Sequence, residues 1–156
     1  MTFRQIASLI QETMGGTSGA IYAIFFNAVS NFLGKSAVGS HDLAHSKLLA
    51  DALQQGLTEL CKYTSARVGS RTIMDALIPF VESLHKKPEN LQGAVAAAST
   101  GAEKTRRMDA KLGRASYVTK EQLNSEKEGV PDPGALGVVS ILEGVVAGLS
   151  QSGSNN

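Results

Sequence analysis

Residues 42–63 read DLAHSKLLADALQQGLTELCKY, and this stretch decides the class of fold. Leu49, Leu53, Leu57 and Leu60 recur every three or four residues, which places them on one stripe of an α-helix. The same spacing continues through most of the chain, and no segment shows the alternating pattern of a half-buried strand. We therefore predict an all-α protein whose helices pack as antiparallel neighbours.

Five further helices are predicted outward from that stretch. They cover about residues 3–14, 17–33, 71–87, 89–110 and 132–149. We expect Thr17 or Ser18 to cap the second helix, and Asp132 to cap the last helix with Pro133 in its first turn. Pro79 lies inside the fourth helix and predicts a kink there.

The composition fits one packed domain with an aliphatic core. The chain has 156 residues, of which 42% are hydrophobic, 19% are charged and only 5% are aromatic. We predict a partial helical domain over residues 1–150 and a polar tail over residues 151–156. Residues 111–131 have no clean helical period, which is long for a loop without a function. The net charge of +1, without a basic stripe, argues against a nucleic-acid partner.

Cys61 is the only cysteine, so the chain cannot form an internal disulfide. A single cysteine suits a reducing compartment. We expect no apolar stretch to reach the roughly 18 residues that a membrane helix needs. The N-terminus also lacks a basic segment followed by an apolar one, as a signal peptide would have. We expect a cytoplasmic protein without a membrane partner.

Three loops carry residues that suit a phosphate or a helix start. Residues 15–19, GGTSG, precede a helix, whose N-terminus attracts anions through its free N–H groups and its dipole. Residues 113–117, GRASY, place the forked donors of Arg114 among small side chains. Residues 132–134, DPG, can start the last helix. Taken singly, these are more often an ordinary turn, a solvated arginine and a plain cap.

The order of the motifs along the chain is more specific than any one of them. The four motifs are GGTSGAIY at 15–22, GSRTI at 69–73, GRASY at 113–117 and PDPGA at 131–135. In this order they resemble the nucleotide loops of ATP-dependent dihydroxyacetone kinases of the triokinase type. The stretch TRRMDA at 105–110, before the arginine loop, also resembles that family. The resemblance covers about residues 3–149 and implies the family's C-terminal nucleotide-binding domain, a barrel of eight helices of which about six are present here.

The resemblance implies that two of these loops face the phosphates of ATP or ADP. Thr17 and Ser18 would contact the phosphates, and Arg114 would face them. The same resemblance implies Mg²⁺ as the accompanying ion, held in the family by three aspartates upstream of the first glycine loop. Before Gly15 this chain has a single acidic residue, Glu12. We therefore expect the magnesium ligands to be absent from this chain.

The other two loops are implied to lie along the nucleotide. Thr72 and Ile73 would lie beside it, largely through backbone and apolar contacts. Asp132, Pro133 and Gly134 would border it.

A metal site of another kind has little support in the sequence. His41 and His45 are four residues apart on one predicted helix face, but two ligands without a third are weak grounds for a metal site. Two solvated histidines are the more frequent outcome. Cys61 is expected to pack in the core, and Asp75 and Asp109 to be solvated or capping groups.

The function implied by the resemblance is part of a dihydroxyacetone (glycerone) kinase. The parent protein would transfer the terminal phosphoryl group of ATP to dihydroxyacetone or glyceraldehyde. Its partner would be the kinase domain or subunit that holds dihydroxyacetone. The isolated chain is expected to be inactive without the metal-binding aspartates and that substrate domain. It would also expose apolar stripes, which favours poor solubility or a homo-oligomer.

Two other functions remain open at this point. A non-catalytic, kinase-derived interaction module fits the missing aspartates and also Ser70, which stands where the family has an aspartate. An ADP-bound subunit of a phosphorelay is a weaker alternative, because the missing aspartates count against it.

Overall fold

The computed structural model describes residues 2–35, 42–109 and 129–153, and this part of the chain is helical without any strand. Its six α-helices are joined by loops and one 3₁₀ turn, Thr105–Arg107. The helices are α1 (Phe3–Thr13), α2 (Gly16–Lys35), α3 (Asp42–Tyr63), α4 (Met74–Lys86), α5 (Leu91–Lys104) and α6 (Pro133–Gly153). The all-α prediction is confirmed.

Most predicted helix boundaries agree with the structure, and three differ by several residues. The fourth helix begins at Met74 rather than near residue 71, because the preceding residues form a turn closed by side chains. The fifth ends at Lys104 rather than near residue 110. There the Thr105 hydroxyl donates to the carbonyl of Ala102, and the chain tightens into the 3₁₀ turn before Met108 becomes extended. The last helix continues to Gly153, into the predicted tail.

The described residues fall into two compact units. The first unit comprises the described residues of Met1–Ser65 together with Leu84–Glu89. In it, α2 packs against both α1 and α3. The rings of Phe3 and Phe26 stack with their centroids 6.0 Å apart. Gly56 of α3 lies so close to α2 that an added Cβ would be 2.7 Å from Cγ2 of Val29.

The second unit comprises the described residues of Ala66–Ser83 and Asn90–Asn156. Here α5 packs against α6, and its alanine-rich face is buried. Gly101 of α5 lies against the backbone of α4, since an added Cβ would be 2.0 Å from the carbonyl oxygen of Asp75. α4 runs through Pro79. Because Pro79 has no N–H, it leaves that carbonyl without its helical partner and open to the approach of α5.

The second half of α6 is apolar and exposed. Ile141 and Leu149 are 53% and 59% exposed, and Val145 is exposed between them. Over Pro133–Gln151 the helix is long and apolar enough to cross a membrane, with 17% of that window buried. This corrects the expectation that no stretch reaches that length. The core helix of a soluble protein meets the same criteria, so length and composition alone do not assign a membrane span.

Candidate functional site

The first candidate loop is the turn between α1 and α2, in the first unit. Gly16 begins α2 with a φ of 74°, a conformation that favours glycine. Gly19 makes a close approach to the same turn, because an added Cβ would lie 2.0 Å from the carbonyl oxygen of Met14. Two glycines therefore shape this turn. Thr17 and Ser18 lie exposed inside the first helical turn, so the prediction that one of them precedes the helix as its cap was wrong.

The electrostatics of this helix start suit an anion. The first turn of α2 contains no acidic residue. Gly15, which precedes the helix, has no side chain that could accept a hydrogen bond from the first N–H groups. The positive end of the helix dipole is therefore not neutralised from within this turn. The hydroxyls of Thr17 and Ser18 stand beside it.

A groove with a cavity volume of about 780 Å³ begins at this turn and follows α2 within the first unit. It is open to solvent and is bordered by the end of α1, by α2 and by the second half of α3. Small side chains such as Ala20 line it near the turn, and Asn27, Gln55 and Glu59 add polar groups farther along.

The second candidate loop precedes α4, in the second unit. The carboxylate of Asp75 accepts hydrogen bonds from the backbone N–H of Gly69 at 2.5 Å and of Thr72 at 2.8 Å. The Thr72 hydroxyl accepts the N–H of Met74 at 3.2 Å. Together these bonds resemble a capping box, except that the hydroxyl accepts from Met74 and not from Asp75. Asp75 is therefore a buried capping group, and Thr72 supports the helix start in addition to any contact with a ligand.

The third candidate loop leads into α6, also in the second unit. Oδ1 of Asp132 accepts the N–H of Ala135 at 2.8 Å, and Pro133 is the first helical residue. The prediction of an aspartate cap followed by proline is confirmed. Burial raises the pKa of the Asp132 carboxyl, while the N–H of Ala135 and the charge of Arg71 act in the opposite direction.

The structure brings the second and third loops together. An added Cβ at Gly134 would lie 3.6 Å from Cβ of Ile73, and the Ile73 side chain is buried. Five of the eight proposed site residues therefore share one part of the second unit. They are Thr72, Ile73, Asp132, Pro133 and Gly134.

A buried arginine that was not predicted as a site residue connects these loops. Arg71 is 2% exposed. Its Nε donates to the carbonyl oxygen of Thr105 at 3.2 Å, and its Nη2 donates to that of Val130 at 2.7 Å. The Thr105 hydroxyl in turn accepts the N–H of Asp132 at 2.7 Å. The sequence signal was the segment at 69–73, in which only the two residues after the arginine were given a role.

Arg114 and His41 lie outside the described residues. Within residues 2–35, 42–109 and 129–153, no group of three or more His, Cys, Asp or Glu side chains is placed to hold a metal ion. The two buried aspartates of the second unit are engaged with backbone N–H groups. The described residues therefore do not fit a magnesium site, and no step through Mg²⁺ is derived from them.

Comparison with known proteins identifies the family. The DAK2 domain model matches residues 1–147 of the chain. The chain belongs to the DAK2 domain family. Dihydroxyacetone kinase of Pichia angusta is 40% identical over 97% of this chain and 25% of its own length. Dihydroxyacetone kinase 2 of Saccharomyces cerevisiae is 45% identical over 90% of this chain and 24% of its own length.

A solved structure supports the fold of this DAK2 domain. The dihydroxyacetone kinase of C. freundii, crystallised with AMP-PNP and Mg²⁺, matches with a TM-score of 0.67 and 30% identity. The match covers 94% of this chain and 22% of that one. The chain thus spans about a quarter of the length of the relatives it matches.

Proposed function

We propose that this DAK2 domain binds ATP or ADP as part of a dihydroxyacetone (glycerone) kinase. The parent would transfer the terminal phosphoryl group to dihydroxyacetone or glyceraldehyde. The observation that carries the proposal is the buried polar network of the second unit, which fixes two nucleotide motifs, 69–73 and 131–135, against the turn at Thr105. A relative crystallised with AMP-PNP and Mg²⁺ has the same fold, which supports a nucleotide as the ligand.

The proposed roles follow the local geometry of each loop. Thr17 and Ser18 contact phosphate oxygens, because they stand at a helix start with no acidic residue in its first turn. Arg114 is proposed to face the phosphates, on the resemblance alone. In the second unit, Ile73 and residues 132–134 offer an apolar and backbone surface beside the nucleotide, consistent with the close approach of Ile73 to Gly134.

The proposed partners are a nucleotide with Mg²⁺ and the kinase domain or subunit that holds dihydroxyacetone. Phosphoryl transfer depends mainly on positioning and on neutralising the charge of the phosphates. The described residues offer no carboxylate cluster for a divalent ion. We propose that the magnesium ligands come from another part of the parent protein. A cytoplasmic location is proposed with this function.

The test is isothermal titration calorimetry of the chain with ADP, Mg-ADP and Mg-ATP. We compare the wild type with Thr17→Ala/Ser18→Ala and with Arg114→Ala. Thr58→Ala is the matched control, because this exposed threonine bonds only within its own helix, to the carbonyl of Gln54. The proposal expects binding that both loop variants weaken by about tenfold, or about 1.4 kcal/mol, and that the control leaves unchanged. A folded wild-type chain that binds no nucleotide refutes it.

The second candidate function is a non-catalytic interaction module. It is favoured by the lack of a metal-binding cluster among the described residues and by the exposed apolar half of α6. A folded chain that binds no nucleotide but forms a stable complex with the dihydroxyacetone-binding part of the kinase would support it. A chain that is purified with tightly held ADP would instead favour the phosphorelay subunit.

A further inference from the structure

Arg71 is a buried cation that donates hydrogen bonds to two backbone carbonyls. Nε and Nη2 reach the carbonyl oxygens of Thr105 and Val130, which are 34 and 59 residues away in sequence. The guanidinium thus ties three separate loops together in the second unit. Its planar fork of donors suits this task, because one rigid group can bond two carbonyls at fixed angles.

The loop before α6 is held at three points that lie close together in sequence, Gly129, Val130 and Asp132. Arg106 Nη1 donates to the carbonyl of Gly129 at 3.0 Å, and Arg71 donates to that of Val130. Two residues farther on, the Asp132 N–H donates to the Thr105 hydroxyl. Arg71 also fixes Thr105 through its carbonyl. Arg71 therefore fixes both Val130, which precedes Asp132 in the chain, and Thr105, whose hydroxyl accepts the N–H of Asp132.

The backbone of Arg71 is in an unfavourable conformation. Its φ is 56°, and it is the single residue other than glycine with a positive φ in the described part of the chain. This conformation is unfavourable for any residue that carries a Cβ. Strained positions persist where the surrounding structure determines them and where the geometry is used. A glycine would fit this φ without strain. We therefore infer that the hydrogen bonds of the Arg71 side chain compensate for the strain of its backbone.

We propose that Arg71 is a positioning residue that sets the start of α6 for the nucleotide. This inference rests on the proposed nucleotide-binding function. Arg71 makes no contact with the ligand in this proposal. It fixes the carbonyl of Val130 and the Thr105 turn, and thereby holds Asp132 and Gly134 beside Ile73 in the absence of any ligand.

The first measurement is amide hydrogen exchange of the full chain without nucleotide, followed by NMR. In Arg71→Gly we expect the N–H groups of Asp132 and Ala135 to exchange about tenfold to a hundredfold faster, as expected for a lost charge-assisted anchor. Core amides of α5 such as Ala98 should keep their rates. Ethylguanidinium at millimolar concentration should partly restore protection. Unchanged exchange at Asp132 and Ala135 overturns the proposal, and so does an equal rise throughout the unit.

The second measurement is ADP affinity by calorimetry under conditions where every variant is folded. Arg71→Gly should weaken binding about tenfold, Arg71→Lys should weaken it less, and the exposed Arg107→Gly should leave it unchanged. If Arg71→Gly does not fold, Arg71→Lys carries both measurements, because one ammonium can replace one of the two contacts. Wild-type ADP affinity in Arg71→Gly overturns the positioning role. A wild type that binds no ADP while the exchange result holds refutes the proposed function alone.

Discussion

Replacing Asp132 separates two roles of its carboxylate, that of a hydrogen-bond acceptor and that of a negative charge. The structure shows the carboxylate as the cap of α6, where Oδ1 accepts the N–H of Ala135. Asp132→Asn keeps an oxygen acceptor at that place and removes the charge. Asp132→Ala removes both. The comparison therefore reports whether the stability of α6 needs an acceptor or a negative charge.

The expected magnitudes follow from the cap and from burial. Loss of a cap costs about 1 kcal/mol. Because the N–H of Ala135 is then left without a partner at a buried residue, the cost should lie near the upper end of the range for caps, about 2 kcal/mol. Asp132→Ala should thus lower the free energy of unfolding by about 2 kcal/mol. Asp132→Asn should stay within about 0.5 kcal/mol of the wild type, because asparagine and aspartate cap equally well.

The pH dependence has a definite sign. Burial raises the pKa of Asp132 above its ordinary value of 3.8. The folded state therefore binds this proton more tightly than the unfolded state, and the stability that it contributes is lost as pH rises from 3.8 through the folded-state pKa. Asp132→Asn does not titrate. Its stability relative to the wild type should rise across that window and stay constant above it.

The assay is urea denaturation followed by far-UV circular dichroism at several pH values, with ADP affinity measured on the same samples. If Asp132→Asn is as unstable as Asp132→Ala at neutral pH, the capping argument is wrong. If Asp132→Asn is stable but loses ADP binding, the charge itself acts on the ligand. Thr58→Ala again serves as the surface control.

Three further predictions concern close contacts and exposed surface. Gly101→Ala should lower the free energy of unfolding by about 2 kcal/mol through overpacking against α4. Gly144→Ala places its methyl group in open space on α6, so it should raise the free energy of unfolding by about 0.5–1 kcal/mol. Equal changes for Gly101→Ala and Gly144→Ala in urea denaturation would contradict this reasoning. Gly19→Ala should weaken ADP binding about tenfold by displacing the turn before α2, whereas Gly15→Ala should not, as measured by calorimetry. Leu149→Ser should reduce self-association in light scattering, and a monodisperse wild-type monomer refutes that expectation.

Local sequence signals predicted the features that depend on neighbours in the chain. The leucine stripe of α3 gave both of its bounds, 42 and 63, because helical period is a local property. The Asp132–Pro133 start was also predicted, since a cap needs only the next three residues. The later start of α4 was missed although its signal was local. Thr72 and Asp75 are three residues apart, as in a capping box.

The role of Arg71 could not be predicted in the same way. A single arginine in a loop is usually solvated, and nothing in its neighbours indicates burial. Its two acceptors are backbone carbonyls, which carry no signature in the sequence. The premature end of α5 has a similar origin, because the Thr105 hydroxyl serves both the carbonyl of Ala102 and the N–H of Asp132. Such contacts arise only when distant segments meet.

The starts of α2 and α6 differ in how well each of them suits a phosphate. At α6, Pro133 has no N–H, Asp132 takes the N–H groups of Gly134 and Ala135, and its carbonyl takes that of Leu136. A phosphate there would meet a carboxylate and no free donor. At α2 the preceding glycine has no side chain, and the first turn has no acidic residue. Helix electrostatics therefore favour a phosphate at the start of α2 over one at the start of α6.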